Sequence, residues 1–224
     1  MTRLLALETS GRAGSVAALE GDKLLAERAL DPARGSAATL APAIQDLLTA
    51  VNWRPADAQV VAVATGPGSF TGLRIGVMTA KTLAYALGAE VVGVDTLDVI
   101  AWQAPRAARP LWTVLDAGRE QLFVAHYVAA AENLPQPDRA TRLVDAGSWL
   151  AALRAGDWLA GPALERCAPR LPTGVHVVES AASWPTAGAV GQLAWSQYLA
   201  GVRHDFWNLT PNYFRPSAAE ERRP

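Results

Sequence analysis

Short apolar runs alternate along this chain with stretches in which apolar residues recur at helical spacing. In the first half, apolar runs separated by tight polar turns predict strands. These strands are residues 4–7, 15–19, 23–30, 60–64 and 91–94. Helical spacing predicts one helix over 36–50, with Ser36 as its N-cap, and a second over 70–87 that ends at Gly88. Strands that alternate with helices in this way are typical of an α/β domain.

The second half shows the same alternation in shorter elements. Its predicted strands are residues 111–115, 121–128, 158–160 and 175–178. Its predicted helices are residues 148–154 and 186–199, the second with Thr186 as cap. We interpret residues 131–139 as a loop and residues 208–224 as mostly irregular.

The most informative segment is residues 65–76, which read Thr-Gly-Pro-Gly-Ser-Phe-Thr-Gly-Leu-Arg-Ile-Gly. An apolar strand enters it and a helix leaves it, so it is predicted to be a glycine-rich turn. Gly66 and Gly68 allow positive φ and close backbone approach, while Ser69 or Thr71 can cap the free N–H groups of the helix. The glycine spacing is neither that of a dinucleotide fingerprint nor that of a Walker A loop.

A stripe of small residues runs along the predicted helix 70–87, at Gly72, Gly76, Ala80 and Ala84. Such a stripe lets another backbone approach closely. Three interpretations stay open: a central helix packed inside a layered domain, an interface with a partner subunit, and an anion site at the helix N-terminus. The interface interpretation implies that Gly76→Leu or Ala80→Trp weakens association without unfolding the chain.

The length and composition allow one large core or two modest ones. The chain has 224 residues, of which half are hydrophobic. We predict two small domains, residues 1–104 and residues 105–224, with a linker at 103–110 that is rich in Pro, Ala and Arg.

Charge and cysteine content exclude several classes of protein. The net charge of −1 and the pI near 6.3 give no electrostatic footprint for independent binding to nucleic acid or to an acidic membrane. Cys167 is the single cysteine, which excludes an internal disulfide and is consistent with a reducing compartment. No apolar run is long enough to span a bilayer. We therefore predict a soluble cytoplasmic protein.

Several motifs together resemble the TsaB family, also called YeaZ-type. They are a strand running into Glu8-Thr9-Ser10, the glycine-rich segment, residues 80–84, and the Val-Gly-Val-Asp-Thr-Leu run at 92–97. Weaker matches follow at Asp116-Ala117, Tyr127 and residues 211–215. The glycine-rich segment is highly specific, and the resemblance covers the first half almost continuously.

The resemblance implies an actin-like ASKHA fold of two small domains, each a mixed sheet with flanking helices. It further implies a protein without catalytic power of its own that binds the transferase TsaD. By this analogy TsaD makes N6-threonylcarbamoyladenosine in tRNA, next to the anticodon on its 3′ side, with TsaE as an ATPase component. The chain would then need no cofactor, form a homodimer when alone, and meet tRNA only within the complex.

We expect the helices at 36–51 and 70–87 to form the face that contacts TsaD. The residues expected at this interface are Leu40, Ile44, Gly72, Arg74, Gly76, Ala80 and Ala84. The small-residue stripe is the observation behind this expectation.

Two enzymatic alternatives are an autonomous ATPase and a peptidase. Glu8, Thr9 and Ser10 stand where nucleotide-binding members of the fold place a phosphate loop, so they form a possible vestigial nucleotide loop; a strand end followed by a turn is the simpler interpretation. The His-x-x-x-His metal motif of TsaD-like proteins is replaced by Thr96 and Ile100, and we predict no metal site. No recognisable Ser-His-Asp arrangement supports a peptidase.

Overall fold

The computed structural model describes residues 1–128 and 135–214, in two compact units. One unit consists of Met1–Thr96 together with the chain from Thr186 onward, and the other is Leu97–Pro185. This division differs from the predicted domains 1–104 and 105–224. The reason is that the last helix returns to the first sheet, so the second unit is an insertion rather than the C-terminal half.

The first unit is built on a five-stranded mixed sheet. Its strands are β1 Arg3–Glu8, β2 Ser15–Glu20, β3 Lys23–Ala29, β4 Val60–Gly66 and β5 Glu90–Asp95, in the order β3-β2-β1-β4-β5. Its helices are α1 Ser36–Ala50, α2 Phe70–Leu87 and α7 Ala187–Leu199, with a 3-10 turn at Pro55–Asp57. β1 pairs antiparallel with β2 and parallel with β4, so it lies at the centre of the sheet. All five predicted strands and both long helices of the first half are confirmed.

Alternation of side chains along the central strand places a core on both faces of this sheet. Leu5 and Leu7 of β1 belong to the cluster formed with α1 and α2. Ala6 faces the other way, where it and Leu19 approach Gly191 of α7 so closely that an added Cβ would not fit. The first unit is therefore a sheet covered by α1 and α2 on one face and by α7 on the other.

The second unit is a smaller five-stranded sheet with short helices. Its strands are β6 Leu111–Gly118, β7 Gln121–Tyr127, β8 Pro137–Asp145, β9 Trp158–Ala160 and β10 His176–Val177, in the order β10-β9-β6-β7-β8. Its helices are α4 Ala146–Ala152, α5 Leu164–Cys167 and α6 Ser180–Ser183, with a 3-10 turn at Ala168–Arg170. Helix α3, Thr96–Gln103, leads into this unit from β5. The predicted 111–128 hairpin is confirmed.

The loop predicted at 131–139 is partly wrong. Residues 131–134 lie outside the described residues, but 137–139 begin β8, which pairs antiparallel with β7 along nearly its whole length. The polar composition of 137–142 hid this strand, because β8 is an edge strand and edge strands tolerate charge. The prediction of an irregular C-terminus is confirmed for 208–214, and its remainder, residues 215–224, lies outside the described residues.

Most helix ends follow the local signals. The side chains of Ser69 and Thr186 each accept a hydrogen bond from the backbone N–H three residues later, and Gly88 ends α2 in the left-handed conformation with φ 65°. The predicted N-cap Ser36 is wrong, because Gly35 holds that position with φ 73° and no side chain caps the helix. A left-handed backbone at the cap favours glycine over serine.

Candidate functional site

The loop after β1 packs against the beginning of α2. The side chain of Thr9 lies in a notch that Gly72 and Gly76 leave on the helix. A Cβ at Gly72 would lie against the carbonyl oxygen of Thr9, and a Cβ at Gly76 would lie against its hydroxyl, in both cases far inside contact distance. The backbone N–H of Ser69 donates to the carbonyl of Ser10 at 2.7 Å. The small-residue stripe thus allows close packing inside the unit.

Six of the seven residues expected at a partner interface are buried in the first unit. They are Leu40, Ile44, Gly72, Gly76, Ala80 and Ala84. Within the unit these residues lie behind the exposed surface of the two helices, and their part in a partner interface stays a prediction. Substitutions such as Gly76→Leu or Ala80→Trp would overpack the core and cannot report on association alone. Arg74, the seventh, is exposed.

The outward surfaces of α1 and α2 carry very little charge. We call these exposed residues the docking face: Ala37, Ala38, Ala41, Pro42, Gln45, Asp46 and Thr49 of α1, and Thr71, Arg74, Met78, Thr82, Tyr85 and Ala86 of α2. Asp46 and Arg74 are its charged members. A helix whose outer surface meets only water usually carries charged residues there. Small, hydroxylic and apolar side chains instead are typical of a surface that another protein covers.

An apolar groove separates the two helices of the docking face. It has a cavity volume of about 570 Å³ and is lined mainly by hydrophobic side chains, including Ile44, Leu48, Trp53, Leu83 and Leu87. The two helices therefore leave a space between them. Apolar residues that line this space, such as Leu83 and Leu87, are only partly buried within the unit.

A C-terminal strap, residues 203–214, runs along the edge of the first sheet and the side of α2. The backbone of His204 donates to the carbonyl of Val91 at 3.0 Å, and Asn212 donates to Thr65 at 2.7 Å. The ammonium of Lys81 donates to two strap carbonyls, those of Trp207 at 2.9 Å and Leu209 at 3.1 Å. These contacts fix one side of the docking face. No local sequence signal predicted them, although residues 211–214 contributed to the family resemblance.

Aromatic side chains of the strap and of α2 extend this side of the docking face. The rings of Tyr85 and Trp207 lie 5.7 Å apart, and both side chains are about two-thirds exposed, at 67% and 68%. Met78 is 58% exposed on the same helix. A patch of large, exposed apolar side chains is more often part of an interaction surface than of a surface that contacts only water.

Glu8 is a fully buried carboxyl group at the end of β1. Its Oε1 accepts the backbone N–H of Ser10 at 2.6 Å and the Ser10 hydroxyl, while Oε2 has no hydrogen-bond partner among the described residues. Burial, with a smaller contribution from the nearby Glu27, raises the pKa of Glu8 to about 7, although the hydrogen bonds that the carboxylate accepts lower it. Ser10 in turn accepts from Ser69, so the carboxyl group supports the loop on which α2 begins.

Stability is expected to depend on pH through Glu8. The native pKa lies above the usual value, so the folded state binds this proton more tightly than the unfolded state. The stabilisation of the folded state by protonated Glu8 is fully present below about pH 4.5 and is lost as the pH rises through about 7. In urea unfolding, the free energy of unfolding should fall by roughly 2–3 kcal/mol across this window. Glu8→Gln should remove that part of the slope.

Comparison of Glu8→Gln with the natural chain isolates this group. Burial also raises the pKa of Asp98, to about 6, and the pH dependence from Asp98 should be the same in both proteins. Equal slopes for the two proteins between pH 5 and pH 8 would contradict the assignment.

The predicted nucleotide loop is closed within the first unit. Glu8 and Thr9 are 0% exposed and Ser10 is 4% exposed. The backbone at Gly68 presses directly on Ser10, so glycine is required there for packing. These side chains face the protein interior rather than a cleft, which agrees with the interpretation of a strand end and turn.

The remaining candidate groups are scattered. Thr96 and Ile100 are fully buried. His126 is hydrogen-bonded to Asp138, and His176 stacks on Trp158. Within the part of the chain that the structure describes, no group of three or more His, Cys, Asp or Glu side chains is placed to hold a metal ion.

Known proteins with this arrangement point to one family. The family model described as "TsaD: tRNA N6-adenosine threonylcarbamoyltransferase" matches residues 24–199. The tRNA threonylcarbamoyladenosine biosynthesis protein TsaB of Bacillus subtilis is 33% identical over 156 residues, which span 69% of this chain and 67% of that protein. Thr96 and Ile100 occupy the places that the resemblance assigns to the histidines of the transferase motif. The chain belongs to the TsaB (YeaZ-type) family.

Solved structures agree with this membership. YeaZ from Pseudomonas aeruginosa superposes with a TM-score of 0.83 at 25% identity, over 96% of this chain and 100% of that chain. The activator of the 2-hydroxyisocaproyl-CoA dehydratase from Clostridium difficile has a TM-score of 0.52 at 10% identity, over 91% of this chain and 99% of that chain; this likeness shows the fold alone. The predicted actin-like ASKHA fold, two mixed sheets with flanking helices, is confirmed for this TsaB-family chain.

A helix that crosses a membrane must be both long and apolar. Among the described residues of this TsaB-family chain, each helix is too short or too polar to cross a lipid bilayer.

Proposed function

We propose that this chain is the non-catalytic subunit that docks on a TsaD-like transferase and thereby supports formation of N6-threonylcarbamoyladenosine in tRNA. Membership of the TsaB family gives the pathway. The observation that carries the docking role is the low-charge face of α1 and α2, where Asp46 and Arg74 are the charged residues among the exposed ones.

The chemistry of that face suits a helical partner. Small residues on α1, such as Ala37, Ala38 and Ala41, allow a second helix to approach, and the groove beside Leu83 can receive apolar side chains. A second copy of the chain presents the same surface, so an isologous homodimer forms on this face when the transferase is absent. Homodimer and heterodimer then compete for one site.

The buried loop supports a non-catalytic role. Glu8, Thr9 and Ser10 are turned into the core, which argues against an autonomous ATPase at this position. In the proposed complex, transfer of the threonylcarbamoyl group takes place on the TsaD-like subunit and ATP hydrolysis on a TsaE-like subunit. The chain meets tRNA only within this complex, in keeping with its net charge of −1.

Reconstitution of the modification tests this proposal. The TsaD-like and TsaE-like proteins of the same organism would be combined with a threonylcarbamoyl-adenylate donor and unmodified tRNA, with or without the chain. We expect the modified nucleoside, measured by mass spectrometry, to form faster when the chain is present than when it is absent. Equal yields without the chain would contradict the proposal.

A further inference from the structure

Arg74 on the docking face is held in place by aromatic rings. Its guanidinium carbon lies 3.9 Å from the centre of the Phe70 ring and 5.7 Å from that of Tyr213 in the strap. Its Nε–H donates to the Tyr213 hydroxyl at 2.9 Å. The two rings are 5.1 Å apart and tilted by 37°, so together they support one side of the guanidinium. Stacking of this kind orders the planar group before anything binds to it.

The guanidinium still has unused hydrogen-bond donors. Among the described residues, no carboxylate lies within ion-pair distance of Arg74, and Nη1 and Nη2 donate to none of them. Five other arginines differ from Arg74 in this respect. Arg3, Arg54, Arg166, Arg170 and Arg203 each lie within 4.0 Å of an aspartate or glutamate. Arg74 is therefore an exposed cation, held by two rings, whose Nη1 and Nη2 have no partner among the described residues.

We propose that Arg74 is the receptor for a carboxylate on the docked subunit. This inference rests on the proposed function, because it assigns one recognition contact within the proposed docking face. The two free nitrogens of an ordered guanidinium match the two oxygens of an aspartate or glutamate side chain. Phe70 and Tyr213 border the guanidinium with ring surface, and Met78 stands one helical turn further along α2. A docked subunit that covers these side chains would exclude water and strengthen the charge pair.

A protein carboxylate fits this surface better than an RNA phosphate. Binding along an RNA backbone requires several cations together. Among the described residues near this side of α2, Lys81 already donates to two strap carbonyls, and Arg203 is paired with Glu90. A single ordered arginine in an apolar setting is typical of a specific contact within a protein interface.

Titration calorimetry of the chain with the TsaD-like subunit of the same organism tests the contact. Arg74→Gln removes the charge, and we expect the affinity to fall about 30-fold. Arg74→Lys keeps the charge but loses the planar fork, and its affinity should lie between those of Arg74→Gln and the natural chain. Tyr213→Phe keeps the ring and loses the hydroxyl that orients Nε, so it should cost only a few-fold.

Arg28→Gln is the matched control, since Arg28 is exposed on β3, away from α2. Thermal unfolding of each variant is measured beside binding. If Arg74→Gln folds normally and binds as tightly as the natural chain, the carboxylate receptor is overturned, while docking itself survives. If the natural chain does not bind the subunit at all, both the contact and the proposed function fail.

Charge exchange identifies the partner group. Arg74→Glu should abolish binding, and replacing one acidic residue of the partner's contact surface with arginine should restore it. If no such replacement restores binding, or if Arg74→Gln weakens binding of an anticodon stem-loop RNA and leaves subunit binding unchanged, the assignment to a protein carboxylate is wrong.

Discussion

Replacing Met78 with arginine is expected to abolish docking on the TsaD-like subunit. Met78 is 58% exposed at the centre of the outward surface of α2, so the substitution should leave the fold intact. A partner that covers this position would bury a new charge without a counter-ion. Calorimetry should show the affinity reduced at least about 100-fold, or roughly 3 kcal/mol. The same variant should be monomeric when alone, because homodimer and heterodimer use one face.

Leu199→Arg is the matched control for this result. Leu199 is 67% exposed at the end of α7, which packs on the opposite face of the first sheet. The Leu199→Arg substitution adds the same charge at a similarly exposed apolar position outside the docking face. The affinity of this variant for the TsaD-like subunit should equal that of the natural chain. Equal effects of the two variants would mean that general charge, rather than this face, determines binding.

Gly72→Ala is expected to destabilise the fold strongly, although alanine is the better helix former. The added Cβ would lie against the carbonyl oxygen of Thr9, which is backbone and cannot rotate away. The loop after β1 or the start of α2 must then shift. The free energy of unfolding, measured in urea, should fall by about 2–3 kcal/mol. This loss reports on packing within the subunit and not on a partner.

Gly11→Ala provides the comparison in the same loop. A Cβ at Gly11 would meet no atom closer than 3.9 Å, so this variant should change the free energy of unfolding by less than about 0.5 kcal/mol. An unchanged stability for Gly72→Ala would contradict the assignment of the small-residue stripe to the core.

Local signals were sufficient to predict α2 and both of its ends. The serine at 69, the glycine at 88 and the apolar spacing between them act within a few residues of where they stand. The fold class followed from the same alternation of strands and helices together with the glycine-rich segment. The pattern did not show which part of the molecule packs against the small-residue stripe. A stripe of small residues shows that something approaches closely, and Thr9 of the same chain is what approaches.

Contacts between distant parts of the chain could not be predicted in the same way. Helix α7 was recognised from its spacing, yet its return to the first sheet depends on the fit of Gly191 against Leu19 and Ala6. The strap depends on Lys81 and on hydrogen bonds that span more than one hundred positions. Polar residues in β8 concealed an edge strand. In these three cases tertiary pairing, rather than local preference, determines the structure.

Prediction of the candidate site from the sequence was limited in the same way. Arg74 was predicted at the interface, and the structure adds the rings of Phe70 and Tyr213 that orient it. The other predicted interface residues proved to be the supports behind the surface, and the exposed residues beside them, Met78 and Tyr85, form the surface itself. Glu8 was predicted as part of a possible nucleotide loop, and the structure shows it fully buried.

Light scattering coupled to size-exclusion chromatography tests the central claim, docking on a TsaD-like subunit, most directly. The chain, of 23.7 kDa, would be measured alone and mixed with the TsaD-like subunit of the same organism. We predict a particle of about twice the chain mass alone and a one-to-one heterodimer that replaces it in the mixture. A chain that keeps its own mass and elutes separately from the transferase would contradict the account.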